Sequence, residues 1–317
     1  MKTMNKKAIF FTIMTIIFLA IFVSYATIQV YYGLSDKMFS IESRVDTMDD
    51  FIDGVKKDIE RGLYISSFRA MLTLQQHIID NGVFIDDVDL RFEESLLNGS
   101  IYGKGAPFMQ ESTFNDWINS ISAQARKINI NLSINVNDIK LYQSTPWKIN
   151  IDANLTIGLQ DFTKLASWRT NEHIQTYLNV EGFEDPLYVI NFFGKATNMI
   201  NRTKYDGNYT FKTTVWNVSR LLEHIDHSYY AQHNDSPSFL MRLSGNIGPS
   251  PYGIESMINL QELSYKGIKI SYNQSIIDHV YFAGAPTTNY RINMTPSWVR
   301  IDSGHLNKYN VSQLIIV

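Results

Sequence analysis

The sequence predicts an α+β protein: an N-terminal transmembrane helix continuing into a long amphipathic stalk helix, then a globular ectodomain containing antiparallel sheet. Three stretches carry that prediction. Residues 8–33 are uncharged and mostly apolar, residues 38–59 place apolar side chains at heptad spacing, and residues 128–159 alternate apolar with polar in two successive runs.

The apolar run follows Lys2, Lys6 and Lys7 and precedes Asp36. At about 1.5 Å per residue it is long enough to cross a hydrocarbon core of about 30 Å. The positive-inside rule then places residues 1–7 in the cytoplasm as a basic tip, and everything beyond about residue 35 outside. The expected order is this tip, a membrane helix over 8–34 with the bilayer as its partner, a helical stalk over 35–82, and an extracellular α+β domain over 83–317. Two processing events compete with an uncleaved anchor. Ser24 and Ala26 offer small residues for a signal peptidase, although the apolar run continues to Tyr32, longer than an ordinary signal core. "NKKAIFFTIMTI" also resembles the leader of archaeal type IV prepilins, in which the peptidase would cut between Ala8 and Ile9; Ile13 stands where bacterial pilins carry a glutamate.

Met38, Ile41, Val45, Met48, Ile52, Val55 and Ile59 follow, flanked by Glu42, Arg44, Asp49, Lys56 and Asp58. This is a helix with one apolar seam, packing on its own domain or self-associating over 38–59. Gly62 and Ser66 occupy the next seam positions, so the seam is expected to end near residue 60. A second stripe with Ile65, Phe68, Leu72 and Ile79 then runs to the helix-ending Asp80-Asn81-Gly82, and Gly54 and Gly62 are candidate kinks.

Thr113 and Asp116 have capping-box spacing before a helix whose buried face is Phe114, Trp117, Ile118, Ile121 and Ala125. Ile128, Ile130, Leu132, Ile134 and Val136 then alternate with polar residues. Asn137-Asp138 shifts the phase to Ile139 and Leu141, as a bulge would. A second alternation from Trp147 to Leu159 completes a long hairpin with one wet face. Further on, the expectations are a turn at Asp185-Pro186 with a strand over Leu187–Phe193, and an amphipathic helix burying Val218, Leu221, Leu222, Ile225 and Tyr229. Helices are expected in "PSFLMRL" and "GIESMINLQEL", and short strands around 268–272, 279–282, 290–294 and 298–301.

The 317 residues are 44% hydrophobic, enough for a substantial core, and the net charge of −3 without a basic block argues against nucleic acid as a partner. The absence of cysteine excludes disulfides, thiolate metal sites and thiol nucleophiles. Ten Asn-x-Ser/Thr triplets, at Asn98, Asn131, Asn154, Asn201, Asn208, Asn217, Asn234, Asn273, Asn293 and Asn310, all fall on the side called extracellular. Composition alone would supply about four. Asn217 is also a candidate N-cap for the helix that follows it.

Site chemistry is sparse. "HIDHSYYAQH" holds His224, Asp226, His227 and His233, and His224 and His227 have the spacing to share a metal on one helix face; without a zincin glutamate, a solvated helix end is the plainer reading. Asp86, Asp87, Asp89, Glu93 and Glu94 lack the spacing of a calcium loop. No phosphate loop, nucleophile elbow or Ser-x-x-Lys motif occurs, so no catalytic residue, metal or cofactor is assigned.

"NKKAIFFTIMT", "DPLYVIN", "HIDHSYYAQHNDSPSFLMRL" and "GIESMINLQEL" resemble segments of a family of uncharacterised archaeal single-pass surface proteins with a type IV pilin-like N-terminal helix. The resemblance implies an archaeal envelope, where N-glycosylation without disulfides is usual. The expected role is structural, adhesive or pilin-like; the alternative is an anchored extracellular hydrolase or carbohydrate-binding receptor.

Overall fold

A computed structural model describes residues 6–164, 166–205 and 207–316. Lys2, in the basic tip, lies outside the described residues. The architecture is α+β with antiparallel sheets and one N-terminal helix apolar and long enough to cross a membrane. That segment, Phe10–Tyr32, spans 23 residues and belongs to α1 (Lys6–Asn81), a single 76-residue helix that passes Gly54 and Gly62 without a break. Gly82, at φ +63°, ends it by donating its N–H to the Ile78 carbonyl.

The chain divides into two compact units. The first comprises residues 1–57, 122–133 and 157–170. Here Met48, Ile52 and Val55 are buried, whereas Met38 and Ile41 at the start of the heptad stripe are exposed. Arg44 ties the unit together: its Nε lies 2.6 Å from Asp161 Oδ1, and its Nη2 donates to the carbonyls of Ile128 and Asn129 at 2.8 and 3.1 Å. Hydrogen bonds from Thr163, and then Arg44, hold the Asp161 carboxyl below its ordinary pKa despite burial.

The second unit comprises residues 58–121, 134–156 and 171–317. Its part of α1 corrects two expectations. The seam does not stop near residue 60 but continues through small residues, with Leu63, Ser66, Ser67, Ala70, Met71, Leu74 and Ile78 buried. The expected second stripe is the wetter side, Phe68 and Ile79 each being 42% exposed. Gly62 is at the seam because Trp117 is there: a Cβ on Gly62 would sit 2.3 Å from the indole, whose Nε1 donates to the Asp58 carbonyl at 2.9 Å.

After α1 come α2 (Val88–Asn98), β1 (Ser100–Ile101) and β2 (Lys104–Gly105), which pair as a small ladder, and α3 (Phe114–Lys127). Asp87 caps α2, and Arg91 binds Asp86 and Glu94, so three of the five acidic residues are engaged in local structure. The capping box of α3 is present in both directions: Asp116 N donates to Thr113 Oγ1, and Thr113 N to Asp116 Oδ2, each at 3.0 Å. β3 (Ile130–Thr145), β4 (Lys148–Asp161) and β5 (Ser167–Asn179) form a sheet in that order. The two-residue connection between β3 and β4 requires an antiparallel hairpin. β4 buries every second residue from Ile149 to Asp161, and β3 changes phase at the exposed pair Asn137-Asp138.

The remaining elements are short: α4 (Pro186–Asn191), β6 (Phe211–Lys212), β7 (Trp216–Asn217), α5 (Ser219–Asp226), β8 (Tyr230–Gln232), α6 (Phe239–Leu243), β9 (Ile254–Ser256), α7 (Leu260–Tyr265), α8 (Asp278–Ala283), β10 (Asn289–Ile292), β11 (Arg300–Asp302) and β12 (Ile315–Ile316). Four expectations are overturned here. Residues 187–191 are helical rather than strand because Asp185 is an N-cap accepting the Leu187 N–H, with Pro186 at the first helical position, and 192–194 form a turn. Within "GIES", Ile254–Ser256 is strand β9 rather than helix, paired antiparallel with β8. Residues 278–283 are α8 rather than a strand, and 268–272 is irregular. Around these elements Tyr188, Phe192, Leu221, Ile225, Ile258, Ile277, Val299 and Ile301 belong to one buried cluster.

Gly62→Ala is expected to lower stability by about 1–3 kcal/mol through overpacking on Trp117, although alanine in an exposed helix would gain about 1 kcal/mol over glycine. Chemical unfolding of the full chain in detergent reads the sign, and a stabilised variant would show that Trp117 does not constrain this position.

Candidate functional site

The second unit contains a seam of buried charge assembled from loops and the ends of short elements. Arg242 in α6 is fully buried; its Nη1 lies 2.5 Å from Asp185 Oδ2 and 2.9 Å from Asp278 Oδ2, and its Nη2 donates to the Ile254 carbonyl. Tyr230 donates to the same Asp185 oxygen at 2.7 Å. Asp278 Oδ2 also accepts the Ser256 N–H and hydroxyl, at 3.0 and 2.9 Å. Burial raises the Asp185 pKa; Asp278, equally buried, is held down by Arg242 and His279.

Next to this pair, His233, Glu255 and His305 bring their ligand atoms within 4.8 Å of one another. The strands place them. Glu255 is the middle residue of β9, opposite Ala231 of β8, and His233 follows the end of β8, its N–H bonded to the Gly253 carbonyl at 3.1 Å. Gly253 is required: a Cβ there would lie 2.1 Å from the Ser236 carbonyl and 2.3 Å from that of His233. His305 sits in the turn after β11, its N–H bonded to the Asp302 carbonyl at 3.1 Å.

Glu255 Oε2 is 3.0 Å from His233 Nδ1 and 3.2 Å from His305 Nε2. Both nitrogens face the carboxylate at ion-pair distance without hydrogen-bond geometry. Ser236 and Tyr309 hydroxyls hold the two oxygens of Glu255 at 2.5 and 2.8 Å. On its far side His305 Nδ1 is 2.7 Å from Asp302 Oδ1, and Asp302 Oδ2 accepts the Ser275 hydroxyl at 2.7 Å. Burial opposes the charge on Glu255, but His233 and His305 outweigh it and take its pKa well below the ordinary value. Burial likewise lowers His305, but Asp302 and Glu255 prevail and raise it to about 10.

The histidines singled out in the sequence do not assemble. His224 is fully buried, 3.3 Å from the Thr203 hydroxyl and against the rings of Tyr209 and Tyr309, while His227 and Asp226 are exposed. Of that stretch His233 alone joins the triad. Glu255 and His305 carried no sequence motif; the one available signal was a glutamate inside the apolar stretch from Ile254 to Ile258, a position that demands a buried partner.

None of the ten sequon asparagines is buried: Asn154 and Asn217 are half-buried and the other eight exposed. The expected cap is corrected at Asn217. α5 begins after Val218, and Asn217 Oδ1 accepts the Ser219 N–H at 2.9 Å.

Comparison with protein-family models, curated proteins and solved structures finds no match to this chain.

Two measurements test the seam. Arg242→Met leaves Asp185 and Asp278 buried without their guanidinium and is expected to cost about 3–5 kcal/mol in unfolding free energy. For His224, burial lowers the pKa from 6.5 to about 3. Its contribution is complete above pH 6.5 and is lost as pH falls toward 3, because the unfolded chain takes up the proton first. The expected slope approaches about 1.4 kcal/mol per pH unit, and His224→Phe should flatten that slope between pH 6.5 and 5.

Proposed function

We propose that this chain is a single-pass membrane protein of an archaeal cell envelope, with residues 1–7 cytoplasmic, 8–34 in the bilayer and an N-glycosylated extracellular part over 35–317, in which residues 58–82 of the helix expected as a stalk belong to the compact unit of the head. Its role is structural, adhesive or pilin-like. The observation that carries this reading is Phe10–Tyr32, a 23-residue apolar helical segment with none of its surface buried by the rest of the chain. Such a surface is stable only against lipid or against other apolar helices. The sequons add support, since every acceptor asparagine has side-chain exposure and none precedes residue 98. Burial of the seam favours a structural over a hydrolytic role: Glu255 is fully buried and His305 only 5% exposed, leaving little approach for a substrate. Self-association through the 38–59 stripe is confined to its exposed start, Met38 and Ile41, because Met48, Ile52, Val55 and Ile59 are already buried.

Topology can be tested directly because the chain has no cysteine. In intact cells a membrane-impermeant maleimide should label Thr213→Cys, an exposed loop position, and should label Thr3→Cys only after permeabilisation. The reverse pattern, or release of the protein without detergent, overturns the assignment. N-terminal sequencing decides the processing: a start at Met1 supports the anchor, Ile9 the pilin-like route, and Thr27 secretion. Glycopeptide mass spectrometry should find higher occupancy at Asn201 and Asn208 than at half-buried Asn217, whose Oδ1 is already engaged. Sugar at Asn217 alone among the three contradicts the placement.

A further inference from the structure

We propose that His233, Glu255 and His305 bind one divalent first-row metal ion of the zinc class, in a closed site that fastens the strand pair β8–β9 to the turn after β11. Two imidazole nitrogens and a carboxylate oxygen are the donor set that such ions favour, and it needs no thiolate. Around a tetrahedral ion with bonds of about 2.0–2.1 Å, neighbouring ligand atoms lie about 3.3 Å apart. The separations of 3.0 and 3.2 Å from Glu255 Oε2 to His233 Nδ1 and His305 Nε2 are close to that spacing.

Three further observations favour an ion over a simple ion pair. His305 is only 5% exposed, yet its Nε2 has no hydrogen-bond partner although it points into the cluster. Asp302 holds Nδ1 of the same ring at 2.7 Å and is itself held by Ser275, the carboxylate–histidine arrangement that fixes a ligand's tautomer and orientation. Four carboxylates, Asp185, Glu255, Asp278 and Asp302, are buried in the seam, so an ion that takes the place of the His305 proton still meets an excess of negative charge. A divalent cation balances that excess. The nearest further imidazole is His279, with Nδ1 4.0 Å from Glu255 Oε2, within reach of a fourth position. Because Glu255 and His305 are buried, the site is structural rather than catalytic: it fixes chain segments distant in sequence.

The test uses the untagged full chain in detergent, stripped with a chelator and titrated with ZnCl2 by calorimetry, with CoCl2 as a spectroscopic reporter of coordination. The expected result is one equivalent bound and a higher unfolding temperature in its presence. His233→Ala, at a partly exposed position that tolerates truncation, should abolish saturable binding while circular dichroism remains unchanged. Asp302→Asn should weaken binding by about 10–100-fold, and His227→Ala, at an exposed site outside the cluster, should bind as the native chain does. Failure of the native chain to take up stoichiometric Zn2+ or Co2+, or binding by His233→Ala as tight as that of the native chain, overturns the proposal. Neither outcome depends on which side of a membrane the domain occupies.

Discussion

The Arg242 guanidinium, buried between two carboxylates, is the constraint on which much of the second unit depends. It reaches the N-cap of α4 through Asp185, the first residue of α8 through Asp278, and β9 through the Ile254 carbonyl. α4, α6 and α8 have five or six residues each. Helices this short do not hold together in isolation, because nucleation costs more than one turn of hydrogen bonds returns. Their persistence requires tertiary fixing, and Arg242 supplies it at three places with a planar set of donors. Such a centre also discriminates between folds: any rearrangement that separates these segments strands a charge out of reach of water, at a cost of several kcal/mol.

The seam extends from this cation without interruption. Asp278 joins the Arg242 pair to His279 and Ser256, Ser256 is the strand neighbour of Glu255, and Glu255 meets His233, His305 and Tyr309. Asp302 and Ser275 close the far end. Every one of these residues lies on a segment too short to define its own position, and each is located by its partners. Gly253 shows how tightly the backbone is drawn in, since no side chain fits between the carbonyls of His233 and Ser236.

This organisation explains which parts of the protein were legible in the sequence. Periodicity reports an element only when it repeats over enough residues. The 14 residues of α3 and the 16- and 14-residue strands β3 and β4 display their period several times, and both the capping box and the phase shift at Asn137-Asp138 are where the pattern puts them. In α4 the apolar run Leu187–Ile190 is too brief to separate helix from strand, and the decisive signal was Asp185-Pro186, which serves as cap and first turn rather than as a reverse turn. β9 has only three residues, 254–256, all buried, so no alternation separates it from the helix α7 that begins at Leu260. The second stripe of α1 was misjudged for another reason: close packing against Trp117 favours Gly62 over a larger side chain, so size rather than hydrophobicity marks the buried face. The triad was illegible because its members converge only through tertiary structure, and no local spacing encodes that.

The absence of cysteine gives the seam its wider meaning in the surface-protein reading. A domain outside the cell cannot rely on the cytoplasm's chaperones and commonly restrains its short, loop-rich segments with disulfides. Those bridges limit the unfolded chain, whereas a buried ionic seam acts on the folded state by penalising each partial opening with an exposed or unpaired charge. The two devices therefore protect differently. A disulfide survives local unfolding and guides refolding; the seam of Arg242, Asp278, Glu255 and His305 makes local unfolding cooperative, because releasing any one segment leaves a buried charge on another. Cooperativity of this kind suits a domain whose elements are mostly two to eight residues long after β5, since such elements have little stability of their own and would otherwise open one at a time.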